Sequence, residues 1–160
     1  MSHDAWRDAP ELRANPELAA LVAQAVAVRE RAWAPYSGFR VGAALVGASG
    51  RVYLGVNVEN ASYGVAVCAE RTAVVSAVAQ GERRFREIAI VTDAPEAAAP
   101  CGICRQTLAE FALAEIGQDL PVTLVSLSGA VTRLQLSALL PLAFTPRSFE
   151  VRPVGATGPQ

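Results

Sequence analysis

Three cysteines and one glutamate form the part of this sequence that could do chemistry. Cys101 and Cys104 are three positions apart, so on one helical turn their thiols point to the same side, and Cys68 lies at the start of a different predicted helix. Because helix N-termini stabilise anions, the pKa values of all three thiols are expected to be depressed. Three thiolates within reach of one another favour zinc among the abundant metals, and we expect one Zn²⁺ per chain.

The fourth zinc position is expected to be open. Zinc prefers four ligands, and the single histidine, His3, is far from the cysteines in the sequence. An open position is typical of catalytic zinc, where a bound water ionises near neutral pH, and Glu70 is close enough to Cys68 to exchange protons with that water. Zinc with three thiolates carries a net negative charge. Arg71 and Arg105 are expected to offset it by hydrogen bonding to the sulfurs, unless they belong to a solvated helix face.

The pattern of apolar residues and turns predicts a single domain at residues 15–150, with an N-terminal extension at 1–14 and a flexible tail at 151–160. Its order is α-β-β-α-β-α-β-β, which predicts an α/β fold, an α-β-α sandwich around a mixed five-stranded sheet. Helices are predicted at 16–32, 68–79 and 100–114, with a helical turn at 137–140. Strands are predicted at 40–46, 51–57, 87–92, 121–127 and 130–136, the first two as a hairpin.

Composition excludes several classes of protein. Charged residues make up 18% of the chain and apolar residues 52%, which is typical of globular proteins, and the net charge is −1. The 14 basic residues, all arginine, are scattered, so neither a nucleic-acid partner nor a membrane partner is expected. The N-terminal residues show no signal-peptide pattern, and a cytoplasmic location is expected.

The sequence resembles the cytidine deaminases. The resemblance lies in Cys68-Ala69-Glu70-Arg71 and in Pro100-Cys101-Gly102-Ile103-Cys104-Arg105-Gln106, and it extends to Phe39–Ala44, Asn57–Tyr63 and Leu139–Phe144. Three cysteine ligands and a short chain resemble the homotetrameric branch of that family. The resemblance implies hydrolysis of cytidine, and of 2'-deoxycytidine, to the uracil nucleoside and ammonia in pyrimidine salvage, with Glu70 as the proton carrier.

The resemblance also implies roles for residues outside the metal motif. Asn57 and Glu59 would bind the ribose hydroxyls, and Phe39 would pack against the pyrimidine. Backbone groups of Ala69 and of Ala99, where relatives often have serine, would meet the edge of the base. A neighbouring subunit would contribute three residues to a shared pocket: Ala61, Tyr63 and Phe144.

Other interpretations stay open at this point. The same zinc chemistry could act on an aminonucleoside antibiotic such as blasticidin S or on a base within a nucleic acid. A non-catalytic structural zinc would normally have four protein ligands, and a redox role for Cys101 and Cys104 would leave Cys68 and Glu70 unexplained. Phe39 and Phe144 could be core residues, Asn57 could simply end a strand, and Glu59 could be a solvated loop acid. His3, Trp6 and Trp33 are assigned only to tail, surface or packing.

Overall fold

A computed structural model describes residues 5–113, 118–145 and 148. Five strands form one mixed sheet in the order β2-β1-β3-β4-β5. The strands are β1 (Val41–Gly47), β2 (Val52–Val56), β3 (Phe85–Thr92), β4 (Pro121–Ser126) and β5 (Val131–Gln135). The helices are α1 (Pro10–Arg13), α2 (Pro16–Arg29), α3 (Ala69–Ala79), α4 (Gly102–Ala112) and α5 (Leu136–Leu139), and short 3₁₀ helices cover Ala5–Asp8 and Tyr63–Val65.

Helices cover both faces of the sheet, which confirms the predicted sandwich. β1 and β2 form the predicted antiparallel hairpin, and β3 pairs with β1 antiparallel. Among the strands of the described ranges, only β3 and β4 run parallel to each other, and they are joined through α4. One core lies between the sheet and helices α3 and α4, and a second lies between the sheet and α2. Adjacent residues such as Ala43 and Ala44 enter opposite cores because side chains alternate along a strand.

Helix α2 begins as predicted and ends earlier than predicted. The Asn15 side chain accepts a hydrogen bond from the Leu18 amide at 3.0 Å, and Pro16 occupies the first helical position. At the other end, the Arg31 amide bonds to the Val28 carbonyl and the Ala32 amide to the Arg29 carbonyl. These three-residue closures tighten the last turn, so the α-helix stops at Arg29 instead of residue 32.

The N-terminal extension is part of the packed fold from residue 5 onward. Trp6, Ala9 and Leu12 are buried in the α2-side core. Trp6 is therefore a packing residue, whereas Trp33 is 61% exposed. His3 and the predicted tail at 151–160 lie outside the described residues.

One glycine lets α3 approach the sheet at the point where the chemical motif begins. A Cβ on Gly55 of β2 would lie 2.1 Å from the carbonyl oxygen of Ala69 and 2.4 Å from the amide nitrogen of Ala73. Since neither backbone atom can move without shifting the helix, glycine at this position sets how deeply the first turn of α3 sits against β2. That turn carries Glu70.

Candidate active site

The site lies at one end of the sheet, where strand ends and helix starts meet. The start of β1 is beside the ends of both β2 and β3, because Val41 pairs with Thr92 and Gly42 pairs with Val56. A cavity of about 240 Å³ opens there. It is lined by Phe39, Val41, Asn57, Cys68, Glu70, Ile90, Thr92, Ala98, Ala99 and Cys101.

The three cysteines converge on one point from two helix N-termini. Cys68 is the N-cap residue of α3 and Cys101 that of α4, while Cys104 lies in the first turn of α4. The helix predicted from residue 100 begins at Gly102. Cys101 instead has an extended backbone, with ψ of 166°, so Pro100 precedes the N-cap. The shift leaves Cys101 outside the helix proper, with its thiol directed toward Cys104.

The distances between the sulfur atoms fit a single zinc ion. The Sγ atoms of Cys101 and Cys104 are 3.5 Å apart, and those of Cys68 and Cys101 are 3.9 Å apart. Three sulfurs bound tetrahedrally to one zinc, each at about 2.3 Å, would lie about 3.8 Å from one another. Among the described residues, the group able to hold a metal consists of these three cysteines, so a fourth position is available for water or substrate.

The thiols do not ionise alike in this arrangement. Hydrogen bonds from Cys104 and from Arg71 lower the pKa of Cys68 to about 5. The pKa of Cys104 is raised, by its hydrogen bond to Cys68, by burial and by the nearby charge of Glu70. The expectation that all three pKa values are depressed is thus wrong for Cys104, because the first thiolate to form opposes ionisation of its neighbour. A bound cation removes that opposition.

Only one of the two arginines interacts with a sulfur as expected. Arg71 Nη2 lies 3.8 Å from Cys68 Sγ and also donates to the Ala66 carbonyl at 2.9 Å. Arg105 instead donates through Nε to the Pro100 carbonyl at 2.7 Å and through Nη1 to the Leu139 carbonyl at 3.0 Å. Arg105 therefore fixes the backbone before the Cys101 motif, since its position in the first turn of α4 places the guanidinium beside these carbonyls.

Glu70 is a buried carboxyl group in the wall of the cavity. It is 4% exposed, and burial raises its pKa, with a further contribution from the Cys68 thiolate. A carboxyl group whose pKa moves toward neutrality can both take up and release a proton near neutral pH. Ala69, immediately before it, is fully buried and opens α3.

Asn57 and Phe39 also line the cavity and contact each other. The Asn57 side chain accepts from the Val41 amide and donates to the Phe39 carbonyl, both at 2.8 Å. Asn57 therefore fixes the entry to β1, while its amide keeps further donor and acceptor capacity. Phe39 is 40% exposed and lines the cavity, so it is not a core residue.

Glu59, Ala61 and Tyr63 lie in the segment between β2 and α3, where Tyr63 opens the short 3₁₀ helix. The Glu59 carboxylate accepts from the Tyr36 and Ser37 amides and from the Ser37 hydroxyl, which lowers its pKa. With Tyr36 and Tyr63 it lines a second cavity, of about 310 Å³, and the two tyrosine rings meet edge to face. Phe144 is exposed, and its carbonyl accepts from Gln106. Glu59, Ala61, Tyr63 and Phe144 do not line the cavity of Glu70 within this single chain.

Four residues of the cavity wall were not identified from sequence. Val41, Ile90 and Thr92 reach the cavity because strand pairing brings the start of β1 beside the end of β3, and Ala98 reaches it from the loop that follows β3. The available signal was that Val41 and Thr92 lie near the ends of predicted strands. The strand order was needed to use it.

Known proteins share both the sequence and the fold. A family model described as the cytidine and deoxycytidylate deaminase zinc-binding region matches residues 16–117. Cytidine deaminase of Sporosarcina psychrophila is 43% identical over 125 residues, covering 78% of this chain and 89% of that protein. Cytidine deaminase of Halalkalibacterium halodurans is 46% identical over 125 residues, covering 78% and 92%.

Solved structures give the same result. The crystal structure of cytidine deaminase from Burkholderia pseudomallei matches with a TM-score of 0.73 and 48% identity, covering 79% of this chain and 98% of that one. The structure from Mycobacterium tuberculosis matches with a TM-score of 0.68 and 36% identity, covering 80% and 97%. The three cysteines and Glu70 all lie inside the matched region. The chain is therefore a member of the cytidine and deoxycytidylate deaminase family of zinc-binding enzymes.

Proposed function

We propose that this chain hydrolyses cytidine and 2'-deoxycytidine to uridine and 2'-deoxyuridine with release of ammonia, as a step of pyrimidine salvage in the cytoplasm. The observation that carries the proposal is the position of Glu70, buried in the wall of the same cavity as Cys68 and Cys101. No helix in the described ranges is long and apolar enough to cross a membrane.

Zinc held by Cys68, Cys101 and Cys104 would supply a water with a pKa near neutrality at the open fourth position. Glu70 takes a proton from the attacking water and delivers it to N3 of the cytosine, while the water oxygen bonds to C4. Glu70 then carries the remaining proton of that oxygen to the exocyclic amine. The C4–N bond breaks, ammonia leaves, and the uracil carbonyl remains. The raised pKa of Glu70 suits this sequence of proton uptake and delivery.

The cavity walls supply the expected contacts for the substrate. Phe39 offers an apolar surface for the pyrimidine, and Ala98 and Ala99 bring backbone groups to its edge. Asn57 has hydrogen-bonding capacity left for a ribose hydroxyl. Glu59 does not line this cavity within the single chain, but it lies two residues after Asn57, and its lowered pKa keeps it an anionic acceptor for a ribose hydroxyl. A cavity of about 240 Å³ is at the small end for ligand sites, which favours a free nucleoside over a polynucleotide.

The first test is the loss of the cytosine absorbance band when the zinc-loaded protein is mixed with cytidine. We expect loss with the wild type and none with Glu70→Ala. An unchanged spectrum with zinc in the protein would contradict cytidine as the substrate. A parallel run with blasticidin S would then test the antibiotic alternative.

We further propose a homotetramer with active sites shared between subunits. Tyr63 and Leu142 are 78% and 95% exposed, and Phe144 is also exposed, so these large side chains are left unpacked in the single chain. In a shared site, Ala61, Tyr63 and Phe144 would enter the cavity of a neighbour.

Co-expression of two variants that each have low activity tests this arrangement. Light scattering should give about four times the 16.8 kDa chain mass. Glu70→Gln and Phe144→Ala should each have low activity alone, and co-expressed chains should regain activity, because some sites then combine an intact Glu70 with an intact Phe144. A fully active monomer would contradict the proposal.

A further inference from the structure

Arg29, the last residue of α2, is a buried charge that the proposed chemistry does not use. It is 2% exposed, and all three guanidinium nitrogens are bonded. Nε donates to the Arg40 carbonyl at 3.0 Å, Nη2 to the Asp93 carboxylate at 2.7 Å and Nη1 to Glu30 at 2.8 Å. Arginine is seldom buried unless paired, and this pairing spans 64 residues of sequence.

The first of these bonds holds the part of the cavity lining formed by Phe39 and Val41, here called the Phe39 wall. Arg40 lies between Phe39 and Val41, which both line the cavity. The end of α2 also packs closely on β1, since a Cβ on Gly42 would lie 2.1 Å from the Ala25 carbonyl oxygen and 2.8 Å from Arg29 Cβ. The guanidinium therefore has little freedom to follow a displaced strand.

The second bond holds the part of the cavity lining formed by Ala98 and Ala99, here called the Ala98–Ala99 wall. Asp93 directly follows Thr92 at the end of β3 and begins the loop that brings Ala98 and Ala99 to the cavity. The next two residues of this loop are held by the end of β4 and the turn after it: the Ser126 hydroxyl donates to the Ala94 carbonyl at 2.5 Å, and the Ser128 hydroxyl donates to the Pro95 carbonyl at 2.9 Å. The Arg29–Asp93 contact attaches the start of the loop to the end of α2.

We propose that Arg29 and Asp93 are positioning residues that set the separation between the Phe39 wall and the Ala98–Ala99 wall, and thereby the affinity for the pyrimidine. Neither side chain lines the cavity, so both act through the backbone they hold. This inference rests on the proposed deamination of cytidine. Substrate affinity depends on both walls, whereas the three thiols and Glu70 are held by α3 and α4.

The test compares steady-state kinetics of Asp93→Ala, Asp93→Asn and the wild type, each loaded with zinc. We expect Asp93→Ala to raise KM for cytidine about tenfold with kcat within about twofold and zinc content unchanged, because misplaced binding groups weaken uniform binding. Asp93→Asn keeps an oxygen acceptor for Nη2 and should recover most of the wild-type KM. Arg29→Lys, which cannot bond to both walls at once, should resemble Asp93→Ala.

Glu87→Gln is the matched control, since Glu87 pairs with Arg133 at 3.4 Å and lies opposite Val46, far along β1 from the cavity residue Val41. Its KM should equal that of the wild type. A folded, zinc-loaded Asp93→Ala with the wild-type KM would overturn the inference. So would a loss of stability or active fraction at constant KM, which is the signature of a merely structural ion pair. A wild type without cytidine turnover would overturn the proposed function, and this inference with it.

Discussion

Glu70→Gln should bind zinc normally and lose turnover by about a thousandfold or more, within the range attributed to acid–base catalysis. Glutamine has nearly the shape of glutamate and cannot carry a proton between water, N3 and the amine. Because Glu70 is 4% exposed, replacing its carboxyl with a neutral amide removes a desolvation cost, so stability should be equal or higher. A fall in kcat without a fall in melting temperature would separate chemistry from folding.

The measurement is the decay of the cytidine absorbance band at saturating substrate, with zinc per chain measured on the same sample. Glu110→Gln is the matched control, since Glu110 lies exposed on α4, the helix that carries Cys104. It should retain wild-type kcat. Near-normal turnover by zinc-replete Glu70→Gln would refute the assignment of Glu70 as the proton carrier.

Local signals in the sequence were sufficient for the five strands, the longer helices and the metal motif. The helix predicted from residue 16 does begin there, because the Asn15 cap and Pro16 that start it involve only neighbouring residues. The spacing of Cys101 and Cys104 predicted adjacent thiols for the same reason, since one helical turn determines their separation. These features depend on chain geometry over three or four residues.

The features that sequence reasoning missed depend on partners distant in the chain. Arg29 is buried at the end of α2 because its charge is paired with that of Asp93, which lies 64 positions away in the sequence. Trp6 enters the core because the N-terminal segment packs against α2 and the sheet. Residues close together in the sequence give no indication of such pairings. The strand order β2-β1-β3-β4-β5 also depends on contacts between distant segments.

The electrostatics of the site could be predicted only in part. Helix N-termini favour anions, and the pKa of Cys68 does fall to about 5, but through hydrogen bonds from Cys104 and Arg71. The pKa of Cys104 rises instead, because its hydrogen bond to Cys68, its burial and the charge of Glu70 come from the assembled site. Without a metal the Cys104 thiol therefore keeps its proton, and zinc binding would release that proton.

Cys104→Ser should therefore lose zinc and, with it, stability. Cys104 is fully buried with its sulfur 3.5 Å from that of Cys101, and a serine hydroxyl at this position is a shorter, harder and neutral group. We expect zinc per chain to fall at least tenfold after dialysis. In zinc-containing buffer the melting temperature should fall by roughly 5 °C or more, because a ligand that binds only the folded state stabilises it.

A chelator distinguishes stability that is lost because zinc no longer binds from stability that is lost because the core packs less well. In EDTA the wild type and Cys104→Ser should melt within about 2 °C of each other, since the folded state of neither then gains stability from zinc. A gap that persists in EDTA would assign the loss to packing of the buried thiol. A zinc-replete Cys104→Ser protein with the wild-type melting temperature would refute Cys104 as a ligand, and the three-thiolate site with its open fourth position would fall with it.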